Sequence, residues 1–115
     1  MKDNVIMLKS YNFALRIVKL YKFLSIEKKE FVLSKQLLRS GTSIGANIEE
    51  ADAGQSKRDF IAKMQISLKE AKECHYWIRL LRDSDFLDEK MAASFITDCN
   101  EIIAILTSIL KSAKQ

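Results

Sequence analysis

Apolar side chains recur at three- and four-residue spacings in four separate stretches of this chain, the pattern of amphipathic helices rather than strands. In the first stretch Ile6, Phe13, Ile17, Leu20 and Leu24 share one face, and Asn4 stands where an N-cap belongs, so a helix is predicted over residues 4–24. Ser25 and the charged run Glu27-Lys28-Lys29-Glu30 mark the turn into a second helix, predicted over 27–53, with Phe31, Leu37, Leu38, Ile44, Ile48 and Ala51 as its apolar contacts. A third helix is predicted over 57–83 and a fourth over 88–113. In the fourth, Phe95, Cys99, Ile102, Ile103, Leu106 and Leu110 line one side, while Thr97, Glu101 and Ser108 line the other.

Local punctuation refines these limits. The run Ser40-Gly41-Thr42-Ser43-Ile44-Gly45-Ala46-Asn47 has loop-like propensity, since each glycine costs about 1 kcal/mol against alanine inside a helix. Ile44, Ile48 and Ala51 nevertheless carry the helical period through it, so the segment is read as helix. Gly41 and Gly45, four residues apart, would admit an unusually close neighbouring backbone. Gly54 suits the left-handed position after a helix, and Ser56 with Asp59 forms an acidic variant of the capping box before Phe60. Asp85 or Asp88 caps the fourth helix. Connections this short make sequential helices antiparallel, which predicts an all-α, up-down-up-down four-helix bundle.

Composition agrees. The chain has 115 residues, no proline and three glycines, enough for one domain and too few turn residues for a β fold. It is 48% hydrophobic and 30% charged, a soluble globular balance. A formal charge of +4 permits a polyanionic partner without requiring one. The first residues lack a secretory pattern, and no apolar run approaches the roughly 18 to 20 residues that span a bilayer. Cys74 and Cys99 lack CxxC spacing, and two cysteines make a meagre disulfide framework, so reduced thiols in the cytoplasm are expected.

The third helix carries more apolar surface than a bundle requires. Phe60, Met64, Leu68, Ala71, His75 and Ile78 form one continuous face. Ala62, Ile66, Trp77 and Leu80 lie well over about 100° around the same cylinder. The first helix has a similar excess at Met7, Tyr11, Val18 and Tyr21. Large exposed apolar patches are rare on monomers, so copies of the chain are expected to associate, with Ile66, Trp77 and Leu80 at the interface.

Chemical constellations are sparse. Ser40, Ser43, Asn47 and Glu50 form a polar stripe, read as a hydrogen-bonding network that sets helix register; Glu73 would complete an acid pair with Glu50 only if the third helix faces that stripe. His75 is read as a packed, hydrogen-bonded core histidine, and adjacent Cys74 projects about 100° away, so the two do not share a metal. Neither cysteine has an activating base, and the glycine stretch lacks a phosphate-loop ending. No cofactor, metal or catalytic residue is assigned, and an enzyme is not expected. Two basic stripes stand out. Lys2, Lys9 and Arg16 recur every seven residues on the first helix with Lys19 close by. Arg58, Lys69, Lys72 and Arg79 share a face of the third helix with Gln65 and Tyr76, and no acid interrupts this face before Asp83. A solvated helix face explains such spacing, and so does a track for a phosphate backbone.

The segment from Arg39 to Ala51, then Ser56 to Phe60, then Ala71 to Trp77 resembles the bacterial four-helix-bundle family named for 23S rRNA intervening-sequence proteins. The matching positions are Ser40, Ser43, Ile44, Asn47, Ile48, Glu50, Ala51, Ser56, Asp59, Phe60, Ala71 and Glu73. The agreement is strong from Ser40 to Leu81, while the fourth helix matches in character only, and Gly41 and Gly45 replace the usual small residues. The resemblance implies a short bundle assembling into a homo-oligomeric ring, with pentamers the familiar form. It also brings relatives that serve diversity-generating retroelements and contact a reverse transcriptase and nucleic acid, though for most members no activity is assigned. The expectation is a non-catalytic accessory protein that binds itself and, through basic helix faces, RNA or DNA. The alternative is a protein–protein adaptor without nucleic-acid affinity. No membrane role is expected.

Overall fold

The computed structural model describes residues 4–115. Four helices make up its regular structure: α1 (Asn4–Ile26), α2 (Leu33–Asp52), α3 (Lys57–Asp83) and α4 (Glu89–Ala113). Each packs against its two neighbours in a closed circuit, α1 on α2 and α4, α3 on α2 and α4, so that α1 and α3 stand diagonally opposite. The bundle measures 44 × 20 × 19 Å. The α1 stripe of Ile6, Phe13, Ile17, Leu20 and Leu24 is buried as its periodicity predicts, as is the α4 stripe of Phe95, Cys99, Ile102, Leu106 and Leu110.

The loop-like glycine segment is helical, and it sits where α1 approaches α2. A Cβ on Gly41 would lie 2.8 Å from two side-chain carbons of Ile17, and one on Gly45 would meet Ser10 at 3.3 Å. The helical cost of the two glycines is thereby offset by contact that larger residues would block. Ser56 caps α3 by accepting from the Asp59 N–H at 3.0 Å, and Asp88 caps α4 by accepting from Met91 N–H at 2.7 Å.

Four expectations are corrected. The second helix begins at Leu33 rather than at residue 27, and Phe31 lies exposed in the preceding loop instead of contributing to the core. Lys29 takes a left-handed backbone, φ 57°, which breaks the helix there. The Glu30 carboxylate then accepts from the N–H groups of Val32, Leu33 and Ser34 at 3.1, 3.0 and 2.6 Å, doing for α2 what an N-cap side chain does. Gly54 does not adopt a positive φ; its N–H closes a tight turn onto Ala51 O, and the cap at Ser56 follows at once. On α3 the buried line is Met64, Ser67, Ala71, Cys74, Ile78 and Leu81, a rotation from the predicted face that leaves Phe60, Leu68 and His75 only half-buried. Finally, α4 is long and apolar enough by composition to cross a membrane, its most apolar 18-residue window having mean hydropathy 1.4. Counting uninterrupted runs misses this because Asp98, Asn100 and Glu101 fall within it. In the bundle its buried stripe is core, and Asp98 and Glu101 are ion-paired to α1.

Candidate nucleic-acid interface

The two basic stripes fare differently. On α1, Lys9 pairs with Glu101 of α4 at 2.7 Å. Arg16 pairs with Asp98 at 2.5 Å, donates to Ser94 Oγ at 2.9 Å, and lies 4.0 Å from the centroid of the Phe95 ring. These cations are neutralised across the α1–α4 seam. Lys19 alone of the described members stays exposed and without an ion pair; Lys2 lies outside the described residues.

On α3, Arg58, Lys69, Lys72, Tyr76 and Arg79 are all exposed, and among the described residues none of the four cations is in an ion pair. The cause lies on α2. Arg39 donates to Glu70 at 3.0 Å and to Glu73, the acid four residues after Lys69, and so draws both mid-helix acids of α3 toward α2. The bond from Arg39, helped by one from Trp77 Nε1 at 3.2 Å, holds the Glu73 carboxyl below its ordinary value against the opposing effect of burial. Asp83 is taken by Arg82 at 2.8 Å. The acids of α3 beyond its first turn are thus engaged by partners other than the exposed row.

Beside that row, α3 and α4 leave a shallow groove of about 320 Å³ lined by Lys72, His75, Arg79, Asn100 and Ile103. Arg79 Nε donates to His75 Nδ1 at 3.0 Å, so the neutral ring carries its proton on Nε2. Desolvation, then the charges of Arg79 and Arg82, lower the His75 pKa, while Asn100 acts the other way. His75 is therefore a half-buried groove residue rather than a core histidine.

Of the polar stripe on α2, three members bond within their own helix and Glu50 alone reaches across, to Lys63 of α3. Ser40 Oγ donates to Gln36 O, Ser43 Oγ to Arg39 O and Asn47 Nδ2 to Ser43 O, each satisfied within its own helix. Register across α2 and α3 comes from the buried bond of Ser67 Oγ to Ile44 O at 2.8 Å, the Arg39 pairs, and Lys63 to Glu50 at 2.8 Å. Glu50 and Glu73 have separate cationic partners and make no acid pair. Cys74 and Cys99 are both buried; contact with Cys99 and then burial push the Cys74 thiol up, away from the reactive thiolate. Their proximity across α3 and α4 was invisible to spacing along the chain. Among the described residues no three His, Cys, Asp or Glu side chains gather as a metal site.

Apolar excess is present on both outer helices but is larger on α1. Leu8 is 63% exposed and Tyr11 62%, and with Leu15 and Val18 they repeat at i, i+3, i+7 and i+10 along its outward face. On α3, Ile66 is 41% exposed, whereas Trp77 packs partly against the core and Leu80 is half-buried. Leu8 and Leu15 escaped the sequence reading although their spacing was legible.

Fold and surface together define a four-helix bundle with an unpaired cationic face on one outer helix and an apolar face on the diagonal one. The chain belongs to the 23S rRNA-intervening sequence protein family, which it matches over residues 2–108. It is also similar to a crystallised protein of unknown function from the S23 ribosomal protein family of Bacteroides thetaiotaomicron VPI-5482. The two share 56% identity at a TM-score of 0.94, covering 96% of this chain and 99% of that one. None of the curated proteins is significantly similar.

Proposed function

We propose that the protein is a non-catalytic, homo-oligomeric accessory protein of the cytoplasm whose α3 face binds RNA or DNA, within a ribonucleoprotein that includes a protein partner such as a reverse transcriptase. The observation that carries this reading is the row Arg58, Lys69, Lys72 and Arg79, exposed and outside every ion pair of the described residues. Cations already matched to acids gain little from a phosphate, because one partner is merely exchanged for another. Unpaired cations release the counterions of the nucleic acid and gain affinity from doing so.

Self-association makes a modest patch effective. A cyclic ring larger than a dimer needs two different surfaces that fit each other. The apolar stripe of α1 supplies one, and the flank of α3 around Ile66, Trp77 and Leu80 supplies the other; the family resemblance favours five subunits. A ring built this way repeats the cationic row once per subunit, and linked weak sites bind far more tightly than one.

The test is a titration of labelled RNA and single-stranded DNA at low and near-physiological salt. The reading requires binding whose affinity falls steeply with salt. The exposed apolar face of α1 equally favours an adaptor that binds only proteins, and absence of polyanion binding at both salts selects that alternative.

A further inference from the structure

A surface that recognised phosphates alone would need no aromatic residue, yet Tyr76 stands in the middle of the cationic row. It is 49% exposed, touches Trp77 edge-on at 5.1 Å between centroids, and has the Arg79 guanidinium 5.7 Å from its ring. Half-exposure of a tyrosine forgoes the burial that usually holds such a ring in a bundle. Lys72, Tyr76 and Arg79 are spaced i, i+4 and i+7, so the two cations flank the ring along the axis and stand about 10 Å apart at 1.5 Å per residue.

The groove next to the ring adds order. Arg79 spends its Nε on His75 Nδ1, which fixes the guanidinium beside Tyr76 and leaves its terminal amino groups to donate elsewhere. Lys72, on the same groove, has no partner among the described residues. Asn100 and Ile103 of α4 bound the far side with one amide and one apolar side chain, a lining suited to the edge of a base or sugar rather than to a second phosphate.

We infer that Lys72, Tyr76 and Arg79, with the His75–Asn100 groove, form a nucleotide subsite for single-stranded nucleic acid, in which an unstacked base lies on Tyr76 between phosphates held by the two cations. This rests on the nucleic-acid reading of α3 and narrows it. In a duplex every base is already stacked on its neighbours, so Tyr76 contributes nothing and only the phosphate contacts remain. A single strand gains both.

The experiment is fluorescence anisotropy of the full chain with labelled oligo-dT and oligo-U of about 16 nucleotides, and with a duplex of equal length, at about 50 and about 200 mM salt. Both single strands are expected to bind about tenfold tighter than the duplex. Tyr76→Leu should erase that margin by weakening single-strand binding about tenfold per stacked base, with duplex affinity and helix content unchanged, and Tyr76→Phe should restore it. Equal affinity for duplex and single strands, or a silent Tyr76→Leu, overturns the subsite while the cationic reading of α3 stands. Failure of all three probes to bind at the lower salt removes both.

Discussion

The outward faces of α1 and α3 occupy equivalent places on opposite corners of the bundle, yet they expose opposite chemistry. On α1 the exposed line is Leu8, Tyr11 and Leu15, with the basic residues Lys9 and Arg16 turned sideways into ion pairs with α4. On α3 the exposed line is Arg58, Lys69, Lys72 and Arg79, with the acids Glu70 and Glu73 turned sideways into ion pairs with α2. In each case the neighbouring helix removes one charge type from the surface and so decides what remains for a partner. Surface pairs of this kind contribute little stability, about 0 to 1 kcal/mol each, so their consequence lies in what they leave uncovered.

The comparison breaks most sharply on α3. Reversing charge at Lys69, Lys72 and Arg79 should lower nucleic-acid affinity about 100-fold or more and flatten the salt dependence by about two in slope, since three phosphate contacts are lost. Anisotropy at several salt concentrations checks this, and circular dichroism should show an unchanged helix signal. On α1, native mass spectrometry is expected to find the parent chain as the proposed oligomer and the Leu8→Glu, Leu15→Glu variant as a single chain. Affinity then falls about tenfold or more through lost multivalency, while the intrinsic contact at α3 survives. Raising salt should separate the two faces without mutation, weakening the proposed binding at α3 and leaving the proposed association through α1 intact, because apolar contact is not screened.

The inner side of α1 gives a smaller effect. Gly41→Ala gains helix propensity of about 1 kcal/mol but drives a methyl into the β-branched Ile17, and overpacking of this sort costs about 1 to 3 kcal/mol. Gly45→Ala meets the Ser10 hydroxyl at 3.3 Å and its backbone carbonyl at 3.5 Å, a milder contact that should leave it closer to neutral than Gly41→Ala. Urea unfolding of the two variants orders them, and a Gly41→Ala at least as stable as the parent would refute the close approach of α1 to α2.

Acid response gives the smallest effect. The group that responds is His75 at the edge of α3, whose pKa is lowered by desolvation and by the charges of Arg79 and Arg82. The unfolded chain therefore takes up that proton first. The contribution of His75 to stability is complete above its ordinary value near 6.5 and is lost as pH falls through the lower folded value. Melting temperature followed from pH 7.5 downward should decline less in His75→Gln, which keeps a neutral acceptor for Arg79. A further decline below about pH 4.5 belongs to Glu30 and Glu73, both held below that ordinary value. Burial works to raise the Glu30 carboxyl, but the bonds from Leu33, Ser34 and Val32 outweigh it and hold the value down.

Much of the fold was legible. The stripe Ile6, Phe13, Ile17, Leu20 and Leu24 reports one face of one helix, and that face is buried whatever it packs against. The caps at Ser56 and Asp88 were legible because a cap acts on its own next turn. The start of α2 was not, since the capping group is a glutamate three residues before the helix, reaching forward to its first N–H groups just after Lys29 turns left-handed. The buried face of α3 was misplaced for a different reason. Its core line includes Ser67 and Cys74, which periodicity discounts as polar or ambiguous, while Phe60, Leu68 and His75 look like core and sit at its margin. Ser67 is admitted to the core only because Ile44 O is there to accept its hydroxyl.

The order of apolar and polar residues along the chain determined four helices, their approximate ends, a family and a row of cations on the third. Those are local properties, set within a turn or two of each residue. Which cations stay free, which apolar face stays uncovered and which histidine lines a groove were decided only when helices distant in sequence came together. Arg16 is neutralised by a carboxylate 82 residues away and Lys9 by one 92 residues away, while Lys69 stays out of any ion pair of the described residues as Arg39 engages Glu73 four residues on. Ion pairing acts through space over a few ångströms, and only the folded bundle fixes which charges lie that close.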